Sequence, residues 1–187
     1  MQYVFEMIFV ALVVFVPAGF ANMAPVFANK MKFLKPLGVP LDGGKSFRGK
    51  RIFGQNKTVR GFIAGFFFAL AGVALQRSID SYSCVACSGY VTPLSAVNPF
   101  VLAALFALGA LGGDAIESFF KRQVGKPSGS VWFPFDQLDY IIGGVLATWP
   151  VLHYSAETIA WIVVVWFGTH LISTFVGYIF GLKEKPI

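Results

Sequence analysis

An all-α polytopic membrane protein of about five transmembrane helices is the fold class that three features of this sequence predict. The first is composition: 56% of the 187 residues are hydrophobic, only 13% are charged, and mean hydropathy is +0.69. A soluble domain carries about a quarter charged residues, so the solvent this composition suits is a bilayer. The second is segmentation, because the apolar residues fall into runs close to the roughly 20 residues that cross a hydrocarbon core. The third is the placement of cations, which gather in alternate loops. The length accommodates a single membrane domain, residues 1–187, and no second domain of any size. The net charge of +6 follows the loops rather than any nucleic-acid footprint, and no nucleic-acid partner is expected.

The first span runs from about Tyr3 to Ala28. No basic stretch precedes it and the cations follow it, so it is not a signal peptide. At its inner end "PAGFANMAPV" sets Asn22 between Pro17 and Pro25. Prolines free backbone groups that need partners inside a membrane, so this stretch is expected to line a polar cavity. The loop that follows, Lys30 to Arg60, holds nine of the 15 Lys and Arg residues against one acid, Asp42. Its "GVPLDGGKSF" ends like a phosphate loop, but Val39 stands where that motif needs glycine, and no strand precedes it. "NKT" at Asn56 to Thr58 matches a glycosylation acceptor, in a loop expected to face the cytoplasm.

The second span covers about Gly61 to Ile79 and leads to Cys84 and Cys87, the only cysteines. They form a local disulfide or stay as two free thiols; a four-thiolate zinc site would need a second pair. The third span covers Pro93 to Asp114, the fourth, which is short, Tyr140 to Tyr154, and the fifth Glu157 to Leu182. Glycines at 109, 112, 113, 143 and 144 would let helix backbones approach closely. His170, within the fifth span, is read as a hydrogen-bonded packing residue. Lys121, Arg122 and Lys126 follow the third span, Lys183 and Lys185 follow the fifth, and only Arg77 falls elsewhere. The positive-inside rule then makes this a multi-pass cell-membrane protein with its N-terminus outside. The first loop, the 115–139 loop and the C-terminus are cytoplasmic.

Three charged clusters share that side: the basic loop, "GDAIESFFKR" from Gly113 to Arg122, and "FDQLDY". At 100° per residue Asp114, Glu117, Ser118, Lys121 and Arg122 fall on one face of the second cluster, with Ile116, Phe119 and Phe120 opposite. In the third, Asp136 and Asp139 lie one helical turn apart on the same face. Taken alone, the basic loop attracts anionic lipid and the paired aspartates cap a helix. Together they suit chemistry, because clustered carboxylates repel unless a cation joins them. Mg²⁺ takes carboxylates, waters and phosphate oxygens, while Lys and Arg hold the remaining phosphate charge. That combination points to phosphoryl or nucleotidyl transfer.

The blocks "GD…SFFKR…G…FPFDQLDY" resemble the C-terminal signature of the integral-membrane CTP:phosphatidate cytidylyltransferases. "PAGFANMAPV", "RGKRIFGQNKTVRG" and "DQLD", with the small size, are similar to their archaeal branch, the CDP-archaeol synthases. The bacterial and eukaryotic enzymes carry a His-Gly-Gly element before the paired aspartates, whereas this chain has "SGSVWFPFDQLD". The resemblance implies cytoplasmic catalytic loops, CTP and a prenylated glycerol-phosphate lipid as substrates, Mg²⁺ as cofactor, and CDP-archaeol and pyrophosphate as products. It implies Asp114 and Asp136 as Mg²⁺ ligands, with Asp139 as a ligand or as the group orienting one. Lys57, Lys121 and Arg122 are the expected phosphate and pyrophosphate binders, joined by Arg48 and Arg51. Asn56, Thr58 and Ser118 would hydrogen-bond phosphate or ribose.

Other readings differ in what they require. A phosphatidate cytidylyltransferase acting on ester lipids shares the chemistry and differs in the acceptor. A small ion or anion transporter expects inverted repeats and midplane charge, which the spans do not display. A lipid-binding scaffold explains the cations but not the three aspartates. Self-association is compatible with the sequence and not required by it.

Overall fold

The computed structural model describes residues 1–83 and 91–181. Among them, five long helices follow in chain order: α1 (Gln2–Lys30), α2 (Val59–Ser83), α3 (Pro99–Gln123), α4 (Phe135–Leu152) and α5 (Ala156–Ile179). A two-stranded antiparallel hairpin, β1 (Ser46–Phe47) and β2 (Lys50–Arg51), lies between α1 and α2. Among the described residues, α1, α2, α3 and α5 are long and apolar enough to cross a membrane. The 18 residues of α4 span about 27 Å at 1.5 Å per residue, and its first turns are made polar by Asp136 and Asp139. Cys84, Cys87, Lys183 and Lys185 lie outside the described residues.

The helix boundaries depart from the apolar runs at two places. Helix α3 starts at Pro99, after a 3-10 turn at Leu94–Ala96, and Asn98 caps it by accepting from the Phe100 N–H at 2.9 Å. It then continues past Asp114 to Gln123, while α4 begins at Phe135 and takes "DQLD" into its first turn. Hydropathy marks where the hydrocarbon slab ends; intrahelical hydrogen bonds carry the helix beyond it.

The core is centred on Phe15, fully buried, whose ring meets Phe106 and Trp166 at 5.7 Å and Tyr140 at 6.4 Å. One aromatic from α1 thus ties α3, α4 and α5 together. Pro17 removes an intrahelical donor within α1. Side chains of other helices also bond carbonyls of α1 in this stretch: Gln76 Nε2 donates to Val14 O at 2.7 Å and Trp166 Nε1 to Ala11 O at 2.9 Å.

Helices α3 and α4 touch backbone to backbone. A Cβ built on Gly113 would stand 2.2 Å from the Asp139 carbonyl oxygen, and one on Gly143 would stand 2.1 Å from Gly109 O. Gly112, by contrast, faces open space. The close approach at Gly113 sets the residue after it, Asp114, against the first turns of α4.

Candidate functional site

The loop between α1 and α2 is organised around one buried carboxylate. Asp42, 5% exposed, accepts from Arg51 Nη2 at 2.7 Å and from the backbone N–H groups of Gly44, Phe53 and Gly54 at 2.9, 3.1 and 3.0 Å. At the loop's ends, Leu41 N donates to Lys57 O at 2.8 Å and Val59 N to Val39 O at 3.0 Å. Together these bonds hold Asn56 and Lys57 at the start of α2, where Thr58 Oγ1 accepts from the Gly61 N–H.

Burial by itself raises the Asp42 carboxyl, but the Arg51 guanidinium and the N–H groups of Gly54, Gly44 and Phe53 hold it well below the usual carboxylate range. A depressed folded value means that the order contributed by ionised Asp42 is complete above the unfolded pKa of about 3.9 and is lost as pH falls through the folded one. Hydrogen exchange at Gly44, Phe53 and Gly54, corrected for the intrinsic rate, is therefore expected to show constant protection from neutral pH to about 4. Asp42→Asn should lower that protection throughout. Protection that fades well above that range would contradict the assignment.

Three acids converge beside this loop. Asp114 and Glu117, on α3, and Asp139, on α4, each present a carboxylate oxygen within 4.8 Å of the others. Asp114 also accepts from Lys57 Nζ at 2.6 Å. Lys121 Nζ bridges outward, 2.5 Å from Asp136 Oδ1 and 3.6 Å from Glu117 Oε1, and the Trp132 N–H donates to Asp136 Oδ2 at 2.6 Å. Among the described residues, Glu117 Oε1 is buried without a hydrogen-bond partner. Hard oxygen donors gathered this closely suit a divalent cation, and the trio can hold one.

Three cavities adjoin at this point. The central one, about 130 Å³, is lined by Asn56, Lys57, Asp114, Ser118, Lys121 and Arg122, among others. Through Arg122 and Ser128 it shares its lining with a basic cavity of about 570 Å³ carrying Lys50, Arg51 and Lys126. Through Asn56, Lys57 and Asp114 it shares its lining with a cavity of about 330 Å³, where Asn22, Asn29 and Thr58 meet Val26, Phe62 and Leu111. Asn22 and Pro25 line this third cavity, which is polar only in part, where the prolines of α1 implied a polar one.

Of the residues singled out in the sequence, Asn56, Lys57, Asp114, Ser118, Lys121, Arg122 and Asp136 line the central cavity. Asp139 joins the acid trio, Arg51 the basic cavity and Thr58 the third cavity. Arg48 is set apart, in a separate cleft with Phe47 and Phe119. Asp136 and Asp139 both face α3 but engage different partners. Glu117 was not among the expected ligands; its signal was its place three residues after Asp114 on the polar face of the wheel. Lys50 and Lys126 gave no individual signal, because only the folded hairpin brings them together.

Comparison with known proteins shows the family of the chain. The family described as "CarS-like: CDP-archaeol synthase" matches residues 4–187. The CDP-archaeol synthase of Methanospirillum hungatei JF-1 is 35% identical over 172 residues, covering 88% of this chain and 99% of that one. That of Thermococcus onnurineus is 34% identical over 174 residues, covering 91% of each. A solved intramembrane enzyme for archaeal membrane lipids biosynthesis superimposes with a TM-score of 0.67 at 26% identity, over 87% of this chain and 91% of the other.

Proposed function

Because this multi-pass membrane chain belongs to the CDP-archaeol synthase family, we propose that it transfers CMP from CTP to 2,3-bis-O-(geranylgeranyl)-sn-glycerol 1-phosphate, releasing pyrophosphate and forming CDP-archaeol. The observation that carries this reading is a central cavity of mixed charge that joins a basic cavity through Arg122 and Ser128 and a part-apolar one through Asn56, Lys57 and Asp114. A phosphate oxygen of the lipid attacks the α-phosphorus of CTP, a P–O bond forms, and the α–β bridging bond breaks to release pyrophosphate. The attacking group is already an anion, so the chain needs to align and neutralise rather than to deprotonate.

Each cavity suits one part of that reaction. The basic cavity, with Lys50, Arg51, Arg122 and Lys126, fits the β- and γ-phosphates and then the leaving pyrophosphate. Lys57, at the boundary with the part-apolar cavity, fits the lipid phosphate, whose chains would lie along Val26, Phe62 and Leu111. Lys121, oriented by Asp136, stands between the two phosphates. Asn56 supplies hydrogen bonds at the same boundary, with Ser118 on its central side and Thr58 on its part-apolar side. Mg²⁺ fits the oxygens of Asp114, Glu117 and Asp139, and when bound would neutralise charge on the triphosphate. The cation distribution supports an orientation with this end of the bundle in the cytoplasm and the N-terminus outside.

The purified protein in vesicles should release pyrophosphate only when CTP, the prenylated lipid phosphate and Mg²⁺ are all present, and should stop when the metal is chelated. Release without the lipid acceptor would refute the reading. Competition between ether- and ester-linked lipid phosphates measures acceptor choice. Among the described residues, the Arg122 Nε is buried without a hydrogen-bond partner, consistent with a guanidinium waiting for an anion. Arg122→Gln should raise the KM for CTP by about tenfold or more, the worth of a charge-assisted hydrogen bond, with little change in the KM for lipid.

A further inference from the structure

Another cavity, of about 450 Å³, opens where the hairpin docks on the end of α3; of its lining only Lys50 is shared with the basic cavity. Its wall is aromatic. Phe47 of β1 lies 6.0 Å from Phe119, and Phe119 lies 5.4 Å from Phe120, between ring centroids. Its rim is cationic. The Arg48 guanidinium sits 5.4 Å from the centre of the Phe47 ring, and Lys50 Nζ donates to Gln123 O at 2.6 Å, fastening the hairpin to the helix. Arg48 is held at φ 50°, in the left-handed region that an L-residue with a long side chain seldom adopts. Among the described residues, no acid lines this cavity.

The outer wall continues into the membrane surface of α3, where Phe120 and Ile116 are 54% and 59% exposed. The cavity therefore stands at the level where hydrocarbon gives way to headgroups, with apolar rings towards the chains and a guanidinium and an ammonium above them. A metal cation is excluded by the two positive charges and the lack of acids. A neutral apolar molecule would cover the rings but give the Arg48 guanidinium no anion, Lys50 being tied to Gln123 O. An anionic headgroup on an acyl or prenyl chain satisfies both halves.

We infer that this cleft binds an anionic lipid of the surrounding leaflet, at a place separate from the lipid that is converted. Arg48 holds the phosphate and Phe47, Phe119 and Phe120 hold the first carbons of the chain. The inference stands on this cleft alone and survives any reassignment of the acid site.

The test uses the full chain in neutral detergent, with phosphatidylglycerol and phosphatidylcholine of identical chains, and retained lipid counted by native mass spectrometry. Phosphatidylglycerol is a phosphodiester and accepts no nucleotidyl group, which separates this cleft from the acceptor site. The intact protein should retain one phosphatidylglycerol per chain in preference to phosphatidylcholine. Arg48→Asn, which keeps a residue tolerant of positive φ, should reduce that retention about fivefold, the loss of one interfacial cation. Phe47→Ala, at an exposed position away from the core, should reduce it as well. Saturating CTP should displace none of it. Equal retention by the intact protein and both variants, or equal retention of the two lipids, would overturn the inference. Displacement by CTP would also overturn it, because it would make the cleft part of the nucleotide site.

Discussion

Asp114→Asn is expected to lower turnover by about 10²–10³-fold while leaving the protein inserted and folded. Asparagine keeps the size of the side chain and one oxygen to accept from Lys57, whose Nζ lies 2.6 Å from Asp114 Oδ1. It removes the charge. Asp114 lines both the central and the part-apolar cavity, and it belongs to the acid trio, so it stands where the lipid phosphate would meet the α-phosphate. The loss should fall on kcat and on the Mg²⁺ concentration required, and much less on the KM for CTP, whose triphosphate we assign to the cations of the basic cavity. Steady-state pyrophosphate release across a Mg²⁺ titration measures both. Turnover near that of the unaltered protein would remove Asp114 from the metal assignment.

Gly113→Ala should be nearly as damaging, for a steric reason. The added methyl would stand 2.2 Å from the Asp139 carbonyl oxygen and 3.0 Å from the carbonyl carbon, both backbone atoms that cannot rotate away. Helices α3 and α4 must separate or shift in register, at a cost of about 1–3 kcal/mol for an overpacked contact. Asp114 and Asp139 would move apart with them. Gly112→Ala is the matched control, because nothing lies within 4 Å of its added carbon. The expected outcome is a loss of activity by about 10²-fold in Gly113→Ala, as a misplacement of about 1 Å can cause. A lowered unfolding temperature should accompany it, with both properties unchanged in Gly112→Ala. Equal behaviour of the two variants would show that the close helix contact does not set the site.

The glycine pattern is a useful measure of what was legible. Spacing in the sequence announced that helices would approach closely near residues 109–113 and 143–144, and Gly109, Gly113 and Gly143 do make such contacts. It did not distinguish Gly113 from Gly112, because both are glycines on a helix and only the partner's position separates them. The same limit applies to the acids. Asp136 and Asp139 share a helix face, yet one engages Lys121 and the other joins Asp114 and Glu117, a difference of a single turn relative to α3. Glu117 was visible on the polar face but had no sequence mark to set it above the other charges there. Arg48 and Arg51 sit three residues apart in one basic loop, and the hairpin sends them to different cavities.

By itself the sequence determined that the chain is a bundle of membrane helices, where the apolar runs lie, and which polar blocks share one end of it. These follow from composition and periodicity, which are local properties and survive any rearrangement of the helices. The tertiary structure alone decided which carboxylates meet, that Asp42 organises the loop carrying Lys57, and that cations scattered from Lys50 to Lys126 enclose one cavity. Those outcomes depend on the rotation and depth of each helix against its neighbours, set by backbone contacts such as Gly113 on Asp139. Such contacts join residues far apart in the chain, where no local pattern records them.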